Sequence, residues 1–288
     1  MYPAPFEYHR ARSVDEALSL LSQYGEAAKL IAGGHSLLPM MKLRLATPAH
    51  VIDIRTIQGL QYIEDRGDYI AIGAGTPHAM IEQSELLRAK MPLLSQAAAV
   101  IGDPQIRNMG TIGGSLAHAD PAADYPAAVL AAEAQLVATG ESGERVIPVE
   151  EFFVDLFQTD LDEREILTEI RVPAISENTR CAYRKFPHPA SRFAVVGCAA
   201  VVTVENNRCS DVRIAFTGVA STAFRDTGVE DALKAQPLTS QTIEKAAALA
   251  AENDELEIME DHFATEDYRR HLAKVFARRT LNQIASAF

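Results

Sequence analysis

Two pairs of adjacent glycines, Gly33-Gly34 and Gly113-Gly114, constrain this chain more than any other feature. Each sits in a similar setting, Ala32-Gly33-Gly34-His35-Ser36 and Thr111-Ile112-Gly113-Gly114-Ser115, and the two lie about 80 residues apart. The apolar run Lys29 to Ala32 reads as a strand entering the first pair, and Leu37 to Leu45 as a short helix leaving it. A Gly-Gly turn between a strand and a helix can bare consecutive backbone N–H groups with no Cβ in the way. Backed by a helix N-terminus, such a nest holds phosphate oxygens. Two of them, each ending in a hydroxyl, are expected to clamp one pyrophosphate from both sides. A single pair would equally suit a tight turn.

Other glycine-based readings fail at specific positions. Gly73-Ala74-Gly75-Thr76-Pro77-His78 follows a strand but has His78 where a Rossmann fingerprint needs its third glycine, and no P-loop lysine occurs. Gly34-His35-Ser36-Leu37-Leu38 has leucine where a nucleophile elbow needs glycine. His118, Asp120 and Asp124 lie close in sequence, and the reading preferred for them is a solvated turn rather than a metal site; Asp124 could accept from a ribose or ribityl hydroxyl. Lys185 ends a β run and reads as a surface lysine, with balancing a phosphate or a reduced ring as the alternative.

Around these motifs the chain reads as mixed α and β. Ser13-Val14-Asp15-Glu16 is a capping box for a helix that should stop near Gly25. Val51 to Ile54 reads as a strand. Leu60 to Glu64 and Tyr69 to Gly73 flank Asp65-Arg66-Gly67-Asp68 as a hairpin, Thr76 reads as a helix cap, and Leu93 to Ile101 is Ala-rich and helical. The character changes at Pro173 to Asn178, a linker, after which Cys181 to Phe186, Ala194 to Val204 and Val212 to Val219 suggest a three-stranded antiparallel sheet turned at Asn206-Asn207. Helices are expected at Val229 to Ala235, Ser240 to Ala251 and Asp267 to Ala287.

Composition supplies exclusions. With 288 residues, 48% hydrophobic and 23% charged, the chain is globular rather than disordered. A net charge of -12 is a poor match to nucleic acid. No apolar run is long enough to span a membrane, and the opening residues lack a signal-peptide core, so the expected location is cytoplasmic. Cys181, Cys198 and Cys209 have neither disulfide-framework nor metal spacing, so no metal ligands are assigned and any iron–sulfur chemistry must come from another chain.

Four stretches, KLIAGGHSLLPMMKLRLATPAHVIDI, IGDPQIRNMGTIGGSLAHADPAADYP, EILTEIRVP and AYRKFPHPASRFAVVGCAAVV, together resemble the FAD-binding medium subunit of the molybdenum hydroxylases, the xanthine dehydrogenase and aerobic carbon monoxide dehydrogenase group. The resemblance covers essentially the whole chain. It is strongest to the carbon monoxide dehydrogenase branch, through the histidine of the first motif and His188 to Phe193. It implies an α+β fold: a vanillyl-alcohol-oxidase-type, PCMH-type FAD-binding domain of two small α/β subdomains over residues 1–176, then a carbon monoxide dehydrogenase flavoprotein C-terminal domain over 177–288 with a three-stranded antiparallel sheet and helices.

By the same resemblance Ala32, Gly33, Gly34, His35 and Ser36, with Thr111, Ile112, Gly113, Gly114 and Ser115, hold the FAD pyrophosphate. Ile101 packs near the isoalloxazine, Asp124 reaches FAD hydroxyls, and Leu167 and Lys185 lie along the cofactor. Two positions depart from the pattern: Ser115 stands where many relatives have asparagine, and Phe193, close to the flavin, where tyrosine is expected. No nicotinamide motif occurs, which favours an acceptor such as a quinone. No side chain acts as acid or base, because the work is electron transfer. A small subunit with two [2Fe–2S] clusters and a large subunit with a molybdenum cofactor are the implied partners, in a dimer of heterotrimers (a heterohexamer) that could associate peripherally with the inner face of the membrane. Rival readings are the medium subunit of an aldehyde, purine or N-heterocycle dehydrogenase, a non-enzymatic nucleotide-binding assembly module, and a stand-alone flavin oxidase.

Overall fold

In the computed structural model, which describes residues 2–288, three layers of structure meet around one cleft. The N-terminal unit is a parallel sheet in the order β1 (Glu7–Arg10), β3 (His50–Asp53), β2 (Ala28–Ile31). Helix α1 (Val14–Tyr24) covers it, burying Ala17, Leu18 and Leu21 on one stripe against Ile52 and Ala28. Ser13 caps this helix, its hydroxyl accepting from the Glu16 amide, while the Glu16 carboxylate accepts from Arg12 one residue further back than a strict capping box. Gly25, at φ +52°, ends it where expected. Helix α2 (Leu37–Leu43) joins β2 to β3.

The second unit has a five-stranded sheet in the order β4 (Ile63–Asp65), β5 (Tyr69–Gly73), β10 (Ile166–Pro173), β6 (Gln135–Gly140), β7 (Gly143–Pro148), every neighbour antiparallel. Gly67 takes φ +86° in the hairpin between β4 and β5. Six helices lie between β5 and β6: α3 (His78–Gln83), α4 (Glu85–Lys90), α5 (Pro92–Ala99), α6 (Pro104–Met109), α7 (Ile112–His118) and α8 (Asp124–Ala131). Short α9 (Val149–Phe152) and the ribbon of β8 (Phe153–Asp155) and β9 (Gln158–Thr159) complete it. Thr76 is not a cap. Pro77 holds that position, and the wholly buried Thr76 hydroxyl instead donates to the Tyr62 carbonyl and accepts from the Tyr62 amide, which leaves no buried polar group unpaired there.

The C-terminal unit pairs β11 (Thr179–Pro187), β12 (Ala194–Glu205) and β13 (Arg208–Thr217) antiparallel. Asn206 and Asn207, at φ 49° and 61°, make the two-residue turn between the long strands. The sheet has a fourth strand where three were expected: two-residue β14 (Phe224–Arg225) pairs with Ala215 and Phe216, too short to leave a periodic signal. Helices α10 (Thr227–Leu233), α11 (Ser240–Ala247) and α12 (Glu266–Ala285) pack on one face.

Strand β12 is buried on both faces, and its two-residue period separates two cores. Ala199 and Val201 join the cluster of the second unit, built on α5 and α8, while Cys198, Ala200 and Val202 join the cluster under α10 to α12. A one-residue slip would exchange the two sets, so this strand fixes the C-terminal sheet against α5 and α8.

Candidate functional site: a cleft between the two glycine motifs

Residues of all three units line a cleft of about 960 Å³, at the upper end of the roughly 300–1,000 Å³ typical of ligand sites. The turn after β2, the start of α7 and the Ser191–Phe193 turn of the C-terminal unit all contribute to its lining.

In the first turn, Gly34 adopts φ +73°, which an L side chain rarely takes. The amides of Gly33, Gly34, His35 and Ser36 donate to no group of the chain among the described residues, and neither does the Ser36 hydroxyl cap α2. The exposed His35 ring bonds through Nδ1 to the Gly33 carbonyl at 2.9 Å, closing the turn on itself. Gly33 is required for a different reason: a Cβ there would lie 2.3 Å from the Met109 carbonyl oxygen and 2.7 Å from the Gly110 Cα. The first glycine motif therefore rests directly on the backbone that leads into the second.

The second motif is the opening of a helix rather than an open nest. Thr111 is the N-cap of α7, its Oγ1 accepting from the Gly114 amide at 3.1 Å. The Ile112 amide donates to the Thr76 carbonyl, Gly113 to Ala74 and Ser115 to Thr111. The amides of Ile112 to Ser115 are thus used inside the chain, because this helix enters against the end of β5 and satisfies its first turn there. Ile112 is fully buried and does not line the cleft. Gly113 is a packing glycine, since its Cβ would come 2.5 Å from the Ala74 Cβ. Thr111, Gly113, Gly114 and the half-buried Ser115 of this motif line the cleft, and a Cβ added at Gly114 would come 2.8 Å from the capping Thr111 Oγ1.

Deeper in the cleft, Ile101 and Leu167 supply apolar wall. The Ile101 turn is held from behind, its carbonyl accepting from Arg107 Nη1 at 3.0 Å and the preceding Val100 carbonyl from Lys185 Nζ at 2.9 Å. Asp124 also lines the cleft, but its carboxylate is engaged: Oδ2 accepts from Lys185 Nζ at 2.8 Å and Oδ1 from the Tyr183 hydroxyl at 2.6 Å. Burial pushes the Asp124 carboxyl above its usual range, against the Lys185 charge, which favours ionisation. Lys185 is not the surface lysine expected from its position. Its side chain is 4% exposed and does not line the cleft, because β11 packs against α5 and turns the ammonium inward to Asp124 at the start of α8. Phe193, 44% exposed, stands at the rim.

His78, His118 and Asp120 also line the cleft, and of these His78 carries no motif signal in the sequence. It lies beneath Gly110 and is 5% exposed, its Nδ1 has no partner, and burial, with His35 and Arg107 nearby, lowers its pKa to about 4. A neutral imidazole under the glycine turns is the result. His118 and Asp120 line the cleft too, partly buried rather than fully solvated, and burial shifts them in opposite directions, the imidazole down and the carboxyl up. They form no metal-capable group with Asp124 among the described residues. Only the fold reveals His78, by bringing it beneath Gly110, and only the fold half-buries His118 and Asp120 in the cleft.

These residues fit an FAD. The open amides of Gly33 to Ser36, with Gly114 and Ser115, line one cleft and leave backbone donors free for a ligand. Pyrophosphate oxygens need such donors, and a flat ring system suits the apolar wall at Ile101 and Leu167.

Comparison with known proteins agrees. Residues 4–175 match the family described as "FAD binding domain in molybdopterin dehydrogenase", and residues 181–284 the "CO dehydrogenase flavoprotein C-terminal domain". The chain is 44% identical over 282 residues to the carbon monoxide dehydrogenase medium chain of Hydrogenophaga pseudoflava, covering 98% of both chains. It is 39% identical to the 6-hydroxypseudooxynicotine dehydrogenase complex subunit alpha of Paenarthrobacter nicotinovorans, covering 98% of this chain and 95% of the other. A solved carbon monoxide dehydrogenase from Hydrogenophaga pseudoflava superposes with a TM-score of 0.96 at 43% identity, covering 99% of each chain. The chain therefore belongs to the family of FAD-binding subunits of the molybdopterin-dependent dehydrogenases.

Proposed function

We propose that this chain is the FAD-carrying medium subunit of an oxidoreductase of the carbon monoxide dehydrogenase type, oxidising carbon monoxide with water to carbon dioxide. The observation that carries the reading is the row of unpaired amides from Gly33 to Ser36 in the same cleft that Gly114 and Ser115 line. Identity over 98% of the chain to a carbon monoxide dehydrogenase medium chain supports the choice of branch. Bound FAD would supply an acceptor that takes electrons singly or in pairs and passes them on.

In this assignment residues 1–176 form the FAD domain and 177–288 the C-terminal domain. Ala32 to Ser36 hold the pyrophosphate through their amides, with Thr111, Gly113, Gly114 and Ser115 lining the same cleft and Ile112 anchoring their segment from the core. Ile101 and Leu167 flank the ring system and Phe193 covers its outer end. Asp124, though paired, keeps unused acceptor sites for an FAD hydroxyl, while Lys185 acts through Asp124 and the Val100 carbonyl rather than on the cofactor. No residue of this chain makes or breaks a bond.

The three cysteines are free and mutually unconnected, which agrees with [2Fe–2S] clusters and a molybdenum cofactor residing on separate small and large subunits. A dimer of such heterotrimers, a quinone acceptor, and a cytoplasmic complex at the inner membrane face complete the proposal. Among the described residues no helix is long and apolar enough to cross a membrane.

The purified chain should be yellow, and its melting temperature should rise on adding FAD. A colourless protein indifferent to FAD would sink the reading and leave the non-enzymatic assembly module. Identity of 39% to a 6-hydroxypseudooxynicotine dehydrogenase subunit favours one other reading, the medium subunit of an N-heterocycle dehydrogenase. Since the substrate meets only the molybdenum subunit, dye reduction by the assembled holoenzyme with carbon monoxide or an N-heterocycle distinguishes the two.

A further inference from the structure

The N-terminal sheet carries a cluster of side chains that the FAD cleft does not use. Alternation along β1 sends Glu7 and His9 to one side of the strand and Tyr8 to the other, where its hydroxyl bonds Asp53. In the parallel register Glu7 lies opposite His50 of β3. Three potential donor atoms meet there: His9 Nε2 and His50 Nδ1 are 3.1 Å apart, and Glu7 Oε2 is 3.5 Å from His50 Nδ1, all within 4.8 Å of one another. None of the three lines the cleft.

That spacing has a physical reading. Four ligands at about 2.0–2.1 Å from a tetrahedral zinc ion stand roughly 3.3 Å from each other. Both pairs that include His50 Nδ1 are already near this separation, and the third pair lies within 4.8 Å. The ring of Tyr24, at the end of α1, stacks on His50 with centroids 3.8 Å apart and on His9 at 4.9 Å, holding both imidazoles in place. Glu7 is largely exposed and leaves the fourth position to water.

From this geometry we propose that Glu7, His9 and His50 bind a divalent cation of the zinc class. Two imidazoles and one carboxylate are borderline ligands suited to such an ion rather than to calcium or magnesium. Without metal, one imidazole donates to the other; with metal, the donor ring takes its other tautomer, so both nitrogens present lone pairs. The ion would clasp the first strand to β3 across the loop that carries α1, β2 and the first glycine motif. The N-terminal unit has the smallest of the three apolar clusters, the kind of core that gains most from a metal.

The test uses the untagged full chain, freed of metal by chelator, with Zn2+ followed by calorimetry and thermal melting and Co2+ followed by its visible ligand-field band. One equivalent bound, with a melting temperature raised by several degrees, is expected. His9→Gln and His50→Gln should each abolish binding, and Glu7→Gln should weaken it about tenfold or more. His262→Gln, an exposed histidine elsewhere, should bind as wild type. Circular dichroism and FAD uptake check that each variant is folded. Substoichiometric binding by the wild type, or full binding by both histidine variants, would overturn the proposal.

Discussion

Lys185 Nζ lies 2.8 Å from Asp124 Oδ2, with the side chains only 4% and 5% exposed. The pair ties β11 of the C-terminal unit to the first turn of α8 in the cofactor-side unit, and Tyr183 adds a second hydrogen bond to the same carboxylate. A buried pair of this kind matters most when one partner is lost, because the other is left charged and desolvated.

Lys185→Met should therefore lower stability by about 3–5 kcal/mol, read as a drop in the urea midpoint. Its pH dependence has a definite sign. Without Lys185, burial raises the Asp124 carboxyl further, the folded state then holds more protons than the unfolded one, and the deficit grows as pH rises from the ordinary carboxylate range to neutrality. A Lys185→Met/Asp124→Asn double variant should recover part of the loss; an additive result would show the two side chains to be energetically independent.

The two glycine motifs should fail differently. Gly114→Val sets its Cβ 2.8 Å from the Thr111 Oγ1 that caps α7, so the cap must shift at a cost of about 1 kcal/mol while the chain stays folded. FAD affinity should fall at least about tenfold, or 1.4 kcal/mol. Gly33→Val drives its Cβ into the Met109 carbonyl and should cost fold and FAD together. Flavin content and circular dichroism of the two variants provide the comparison. Retention of FAD by a folded Gly114→Val would remove this motif from the FAD site.

His78 should make the FAD-free chain acid-sensitive. Its pKa falls from 6.5 to about 4 on folding, so the unfolded chain binds the extra proton between those values and stability is lost as pH drops through that window. At ~1.4 kcal/mol per pH unit the loss reaches about 3 kcal/mol at most. His78→Phe should flatten the melting temperature between pH 6.5 and 4.

The thiols should be inert in the native protein. Burial pushes Cys181 up to about 11 and Cys198 up to about 12, and Cys209 also rises, so almost no thiolate exists near neutrality. Alkylation followed by mass spectrometry should label none of them until the chain is unfolded.

Much of the scaffold was legible in the residues themselves. The Ser13 cap, the stop at Gly25, the Gly67 hairpin and the Asn206-Asn207 turn are local effects, set within a few residues by cap chemistry and permitted φ. The helices after Asp226 and the double-faced apolar run of β12 follow from hydrophobic periodicity. Two-residue β14 and the Thr76 hydrogen bonds were not legible, because their partners come from elsewhere in the chain.

The same division runs through the site. The sequence by itself determined that two Gly-Gly segments with flanking hydroxyls exist and that this chain has no cysteine set for a cluster. Tertiary structure decided which amides remain free. It left those of Gly33 to Ser36 open and consumed those of Ile112 to Ser115 against Thr76, Ala74 and Thr111. It also turned Lys185 inward to Asp124 and brought His78 beneath Gly110. Backbone donors have the same chemistry in every residue but proline, so only the packing of one segment on another assigns them to the chain or leaves them for a ligand.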